Sequence, residues 1–203
     1  MKMRKISLCV IGLFAFAAIV SAQDISLPTP VKTGGKPLMN ALNERKSIKT
    51  FSGKPLDQQN LSNLLWAAYG FNRESKRVVP SSENKQEIDV YVALPTGVYF
   101  YDAKANVLKL HQAEVPKASI SQPSVTDVAA FTLIYVANVD KASSRESCYI
   151  DTGFLVQNVY LYCASEGFGS VARGSFKAQQ LQADLKLGAN QIVTLVQAVG
   201  VPK

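Results

Sequence analysis

Between Ile88 and His111 the chain reads IDVYVAL, PTG, VYFYD, AKAN, VLKLH: three apolar-rich segments divided by two short turns. Connections this short join neighbouring antiparallel strands, because a parallel crossover needs a dozen residues or more. The stretch is therefore an antiparallel meander. AFTLIYVAN, 130 to 138, is apolar throughout and predicts a central strand buried on both faces. The cover comes partly from RESCYIDTGFLVQNVYLYCASEG, a long helix over roughly 145 to 166. It is apolar on nearly every face, which places it inside a core or at a subunit interface. The chain is α+β, with an antiparallel-rich central sheet flanked by helices.

The other elements are shorter. KPLMNALNER predicts a helix ending near Arg45, with Leu38, Ala41 and Leu42 on one face. SIKTFSGKPL is extended, anchored by Ile48 and Phe51. Asp57 is an N-cap for a helix whose Leu61, Leu64, Leu65 and Ala68 share a face, and Gly70 closes it as a left-handed cap. NRESKRVVPSSENKQ reads as a polar loop, and QAEVPKASISQ as a short helix or loop interrupted by Pro116. FGSVARGSF runs from strand to loop, KAQQLQADLKL is a helix capped by Ser175 and ended by Gly188, and QIVTLVQAVG is the last strand.

Residues 1–22 have the features of a cleavable signal peptide. Lys2, Arg4 and Lys5 precede an apolar core, and VSA stands before Gln23. The expected cleavage follows Ala22 and the expected location is periplasmic or secreted, with no stable membrane anchor afterwards. Residues 23–36 are a Pro- and Gly-rich linker or surface-hugging arm, and 37–203 one domain. Cleavage takes three basic residues from a net charge of +7 and leaves +4, too weak a balance to imply nucleic acid. Cys148 and Cys163 share the long helix, roughly 22 Å apart, far beyond disulfide reach. With one histidine and no CxxC or HExxH, the chain has no metal-site pattern. His111 ends a strand and is expected to take no part in chemistry.

One cluster resists a purely structural account. Arg45, Lys46, Ser47 and Lys49 stand together where the first helix becomes extended chain. Guanidinium, ammonium and hydroxyl donors suit a dianionic phosphate, although a solvated loop has the same composition.

The order of segments decides between them. ERKSIKTFSGKPL, LSNLLWAAYGFNR, PSSENKQEIDVYVAL, DTGFLVQNVYLYCASEGFGSVARGSF and VTLVQAVGVPK together resemble the FMN-dependent nitroreductase family, particularly its branch similar to thiazoline/oxazoline dehydrogenases. The likeness runs over residues 37–203. It implies that Arg45, Lys46 and Ser47 grip the FMN phosphate and ribityl chain. It implies that Pro80, Ser81, Ser82 and Asn84 reach a flavin across a homodimer. The family's usual aromatic or proline after Gln86 is replaced by Glu87 and Ile88. Gly174 and Ser175 match a turn whose backbone N–H points at the flavin N5. Arg173 beside them either faces the pyrimidine edge of the ring or faces solvent. Lys203 takes the place of basic residues that touch the phosphate.

For a chain expected to be exported, the resemblance further implies an oxidoreductase acting on a small molecule such as a nitroaromatic or quinone. Its chemistry would be carried by the flavin, with no catalytic side chain. The competing reading is a family member that kept the fold as a binding or scaffold protein. The two separate on whether the basic triplet and the Gly174–Ser175 turn converge.

Overall fold

The computed structural model describes residues 23–120 and 128–203; the expected signal peptide, residues 1–22, lies outside them. The meander forms as the sequence predicts: β4 (Ile88–Leu94), β5 (Gly97–Asp102) and β6 (Val107–Gln112) pair antiparallel in succession. On the other side of β4 lies β7 (Phe131–Asn138), then β9 (Gln191–Gly200) and β8 (Gly169–Arg173). The seven-stranded sheet has the order β1-β6-β5-β4-β7-β9-β8, with β1 at Ile25–Ser26. β7 is central and its first seven residues are all buried.

The N-terminal arm is the surface-hugging alternative. Its Ile25–Ser26 forms β1 on the β6 edge, Ile25 opposite Leu108, and Leu27 is buried beyond it. Covering this edge removes a row of unpaired backbone groups.

Helices cover both faces. α1 (Leu38–Glu44), α2 (Gln58–Tyr69) and the long α4 (Arg145–Glu166) lie on one, α3 (Lys117–Ile120) and α5 (Ala178–Asp184) on the other. Leu61, Leu64, Leu65 and Ala68 of α2 meet Leu155, Val159 and Cys163 of α4 in the main core. α4 has matched stop and start signals. The Ser144 hydroxyl accepts from Ser147 N–H and the Ser147 hydroxyl accepts from Ser144 N–H, both at 3.1 Å. Gly167, at φ +77°, ends the helix in the left-handed region. Cys148 and Cys163 are both buried and unbridged.

Three local expectations are corrected. Gly70 follows α2 in extended conformation, φ −69° and ψ 178°, rather than as a left-handed cap. It is glycine because the Trp66 ring occupies the space a Cβ would need. Ser175 does not cap α5, which starts after Lys177 without a side-chain cap, and Gly188 lies past the Leu185 C-cap. The polar stretch after Gly70 is not all loop: β2 (Phe71–Arg73) and β3 (Lys76–Arg77) make a hairpin, and Ser82–Asn84 a 3₁₀ turn. Arg77 holds the hairpin down, its guanidinium 4.0 Å from the centroids of both Tyr69 and Phe71. His111 is structural, donating from Nε2 to the Leu185 carbonyl at 2.7 Å behind α5.

Candidate active site

The basic triplet belongs to a segment fixed at both ends. Arg45 caps α1, its N–H bonded to Ala41 O at 3.0 Å. Ile48 N–H then donates to Ser170 O of β8 at 2.9 Å, and Ser52 N–H to Val201 O at 2.8 Å. Between them Phe51, fully buried, bridges Pro202. Two glycines directly opposite each other in the sheet, Gly169 and Gly200, make room for its ring. A Cβ on Gly200 would come within 2.9 Å of Phe51 Cδ1, and one on Gly169 within 3.1 Å of Cε1.

Tyr160 of α4, which sequence reasoning missed, joins the triplet to the turn. Its hydroxyl is 3.0 Å from Ser47 Oγ and accepts from Ala172 N–H at 2.8 Å. Arg45 lies over the same ring, its guanidinium carbon 5.3 Å from the centroid. Ala172 stands two residues before Gly174, so triplet and turn occupy one neighbourhood. The only signal for Tyr160 was its position beside the buried stripe Val156, Val159 and Cys163.

Arg45 is half-buried, Lys46 and Ser47 are exposed, and among the described residues neither cation has a carboxylate partner. Gly174 and Ser175 are exposed beyond the last ladder pair, Arg173 and Val196. Their amides enter no loop or cap hydrogen bond among the described residues. Arg173 is half-buried, and exposed Lys203 follows Pro202 beside the Phe51 segment. Removing the Tyr160 hydroxyl leaves Ala172 N–H without its acceptor. Tyr160→Phe is expected to lose about 1–2 kcal/mol of stability. Equal urea midpoints for the two proteins would show that this tie carries nothing.

Pro80, Ser81, Ser82 and Asn84 are not part of this neighbourhood in one protomer. Ser82 N–H donates to Asp151 Oδ2 at 2.8 Å, near the start of α4. Asp151 precedes Tyr160 by nine residues, roughly 13 Å along the axis. Glu87 is buried next to Asp151. Burial first, and then the Asp151 carboxylate, push its pKa up to about 6, while its own backbone N–H and Lys141 oppose them. Trp66, whose Nε1–H donates to Phe71 O at 3.1 Å, serves packing.

Known proteins share this fold. The model of the family described as "Nitroreductase family" matches residues 42–201. A nitroreductase-family protein of Methanocaldococcus jannaschii is 29% identical over 168 residues, which span 74% of this chain and 84% of that one. The crystal structure of another, from Ralstonia eutropha JMP134, is 37% identical with a TM-score of 0.83, covering 91% of each chain. A third, from Desulfovibrio desulfuricans and solved in complex with FMN, shares the fold at TM-score 0.64 and 18% identity, over 83% of this chain and 88% of that one. The family match runs from the end of α1 through Val201, across both the basic triplet and the Gly174–Ser175 turn, and the chain belongs to the nitroreductase family.

Proposed function

We propose that the protein is an exported, homodimeric, FMN-dependent oxidoreductase that passes hydride or electrons to a small electron-poor acceptor such as a nitroaromatic or quinone. The observation that carries this reading is Tyr160, which draws Arg45, Lys46 and Ser47 to the strand that ends in Gly174 and Ser175.

The donor set suits FMN. Two cations without acidic partners and a hydroxyl match a phosphate and a ribityl chain. Unengaged amides at an exposed glycine turn suit the edge of a planar ring. Bound there, FMN would supply the redox chemistry, and the side chains would hold and orient it. Arg45 and Lys46 would neutralise the phosphate, with Arg45 pre-oriented by the Tyr160 ring. Ser47, tied to Tyr160, would hold the ribityl chain against β8, and Lys203 would add charge from the C-terminal side.

A dimer is supported by apolar side chains left in water. Leu38, Met39 and Leu42 of α1 and Tyr149, Ile150 and Phe154 of α4 are exposed on two helices that pack together. Large apolar surface of this kind marks an interface more often than a free face. Pairing two copies would also supply the Pro80–Asn84 loop that one protomer keeps apart from its own triplet. Export rests on the N-terminal sequence alone. Outside the cytoplasm NAD(P)H is scarce, which favours a different donor or a dehydrogenase direction.

The purified protein, mixed with excess FMN and desalted, is expected to keep a flavin spectrum at about one per subunit. Arg45→Ala is expected to weaken FMN about tenfold, the loss of one charge-assisted contact. A protein that emerges colourless would overturn the flavin reading and leave a fold used for binding.

A further inference from the structure

Glu87 stands where the Ser81–Gln86 loop enters β4. It is 1% exposed, and no donor group of another residue reaches either carboxylate oxygen among the described residues. Asp151, 3% exposed, comes within hydrogen-bonding reach of it from α4 and holds Ser82 N–H at 2.8 Å. A buried ionised carboxylate without a partner is among the costliest groups a fold can contain. Two of them side by side cannot both stay charged and both stay in place.

The loop they flank is itself strained. Glu83, Asn84 and Gln86 have φ of +50°, +56° and +49°, a region that side-chain-bearing residues disfavour. Such a backbone persists only where its surroundings hold it. Gln86 N–H is bound to Ser81 Oγ at 2.9 Å, and Lys141 Nζ to Gln86 O at 2.8 Å. The Gln86 side chain sits between Arg77 Nε at 3.1 Å and Ser75 O at 2.8 Å. Asp151 supplies the loop's tie to the long helix.

We propose that Glu87 forms a latch with Asp151, holding the Ser81–Gln86 loop on α4 while the Glu87 carboxyl is protonated and releasing it when that carboxyl ionises beside Asp151. With one proton, the Glu87 carboxyl donates to Asp151, which keeps an oxygen for Ser82 N–H. Without it, like charges part. Glu87 is covalently next to the left-handed Gln86, so its displacement acts directly on the strained loop.

The other charged and titratable groups around the pair do not remove this switch. Glu87's own backbone N–H and Lys141, from the β7–α4 turn, lower the Glu87 pKa, but burial and Asp151 outweigh them. Arg77 of β3 is engaged with Gln86 and the Tyr69 carbonyl. The thiol of Cys148 and the phenol of Tyr69 are pushed up and stay neutral. Asp89 on β4 is also raised, by its own burial first. The Glu87 carboxyl, pushed up to about 6, changes charge near neutrality.

Where this loop meets a partner's flavin, as the proposed function has it, flavin affinity inherits the proton dependence. That consequence rests on the flavin reading; the latch does not.

The test uses trypsin, because Lys85 lies in the loop. Cleavage after Lys85 is followed by mass spectrometry in the wild type and in Glu87→Gln at each pH from 5.5 to 8.5, without flavin. Comparing the two proteins at one pH cancels the protease's own pH profile. The wild type is expected to be cut at about the variant's rate at pH 5.5 and at least fivefold faster at pH 8. A ratio that stays flat with pH overturns the latch. Flavin titrations at the same pH values follow, with affinity expected to fall severalfold above pH 6 in the wild type and not in Glu87→Gln. An affinity independent of pH, alongside a pH-dependent cleavage ratio, overturns the coupling to flavin. A chain that binds no flavin at any pH refutes the flavin reading and leaves the cleavage result standing.

Discussion

Phe51→Ala is expected to lose about 3–5 kcal/mol of stability, the range for removing a fully buried phenylalanine. That is a large share of a total near 5–15 kcal/mol, and it lowers the melting temperature by roughly 10 °C in a chain of this length. The environment argues for a full-sized effect. Phe51 packs with Val171 and Ala198 and lies over Gly169 and Gly200, which have no side chains to close the gap. Its removal also frees the middle of the segment that carries Arg45, Lys46 and Ser47. FMN binding should therefore weaken at temperatures where the variant is still folded. Leu64→Ala, a fully buried deletion in the other core, separates the two effects. It is expected to lower the melting temperature by a similar amount and leave flavin affinity unchanged. Equal loss of flavin in both would show that affinity follows global stability and not the moored segment.

Glu87→Gln should act in the opposite direction. Burial pushes the Glu87 carboxyl up to about 6 in the folded chain against 4.5 for an unhindered glutamate. The folded state thus holds this proton more tightly than the unfolded one. Stability from this residue is greatest with the carboxyl protonated, falls as pH rises from about 4.5 to about 6, and stays low above. A difference of one and a half units corresponds to roughly 2 kcal/mol. An amide cannot ionise and keeps nearly the same shape. The variant is expected to be about 2 kcal/mol more stable than wild type at pH 8 and nearly equal at pH 4.5. Urea denaturation at the two pH values reads the difference. A variant less stable at both would mean that the carboxylate has a stabilising partner.

The sequence makes the large elements plain because their signals are long or doubled. The meander has two turns too short for any other topology, and α4 has a cap at one end and a glycine at the other. The β2–β3 hairpin escaped because NRESKR has no alternation. Its stability comes from Arg77 stacking between two rings, a tertiary effect. Gly70 was misread because its partner, Trp66, is one turn back on the same helix and leaves no room for a side chain.

At the site, Arg45, Lys46 and Ser47 were legible as a dense set of donors, and Gly174–Ser175 through the family's turn. Tyr160 was not. One aromatic among many on an apolar helix gains its role only when β8 and the segment after α1 are brought to its hydroxyl. Glu87 was noticed only as a departure from the family pattern. Its meaning depends on Asp151, 64 positions away in the chain.

The two thiols of α4 have a practical consequence. Cys148 and Cys163 are buried, desolvation pushes both above their usual pKa, and the reactive form of a cysteine is the thiolate. A thiol-directed alkylating reagent therefore finds almost nothing to attack in the folded domain. Both sulfurs lie in the same core as Leu64 and Leu155, so they become reachable only when that core opens. Alkylation at these two positions then serves as a clock for opening of the domain.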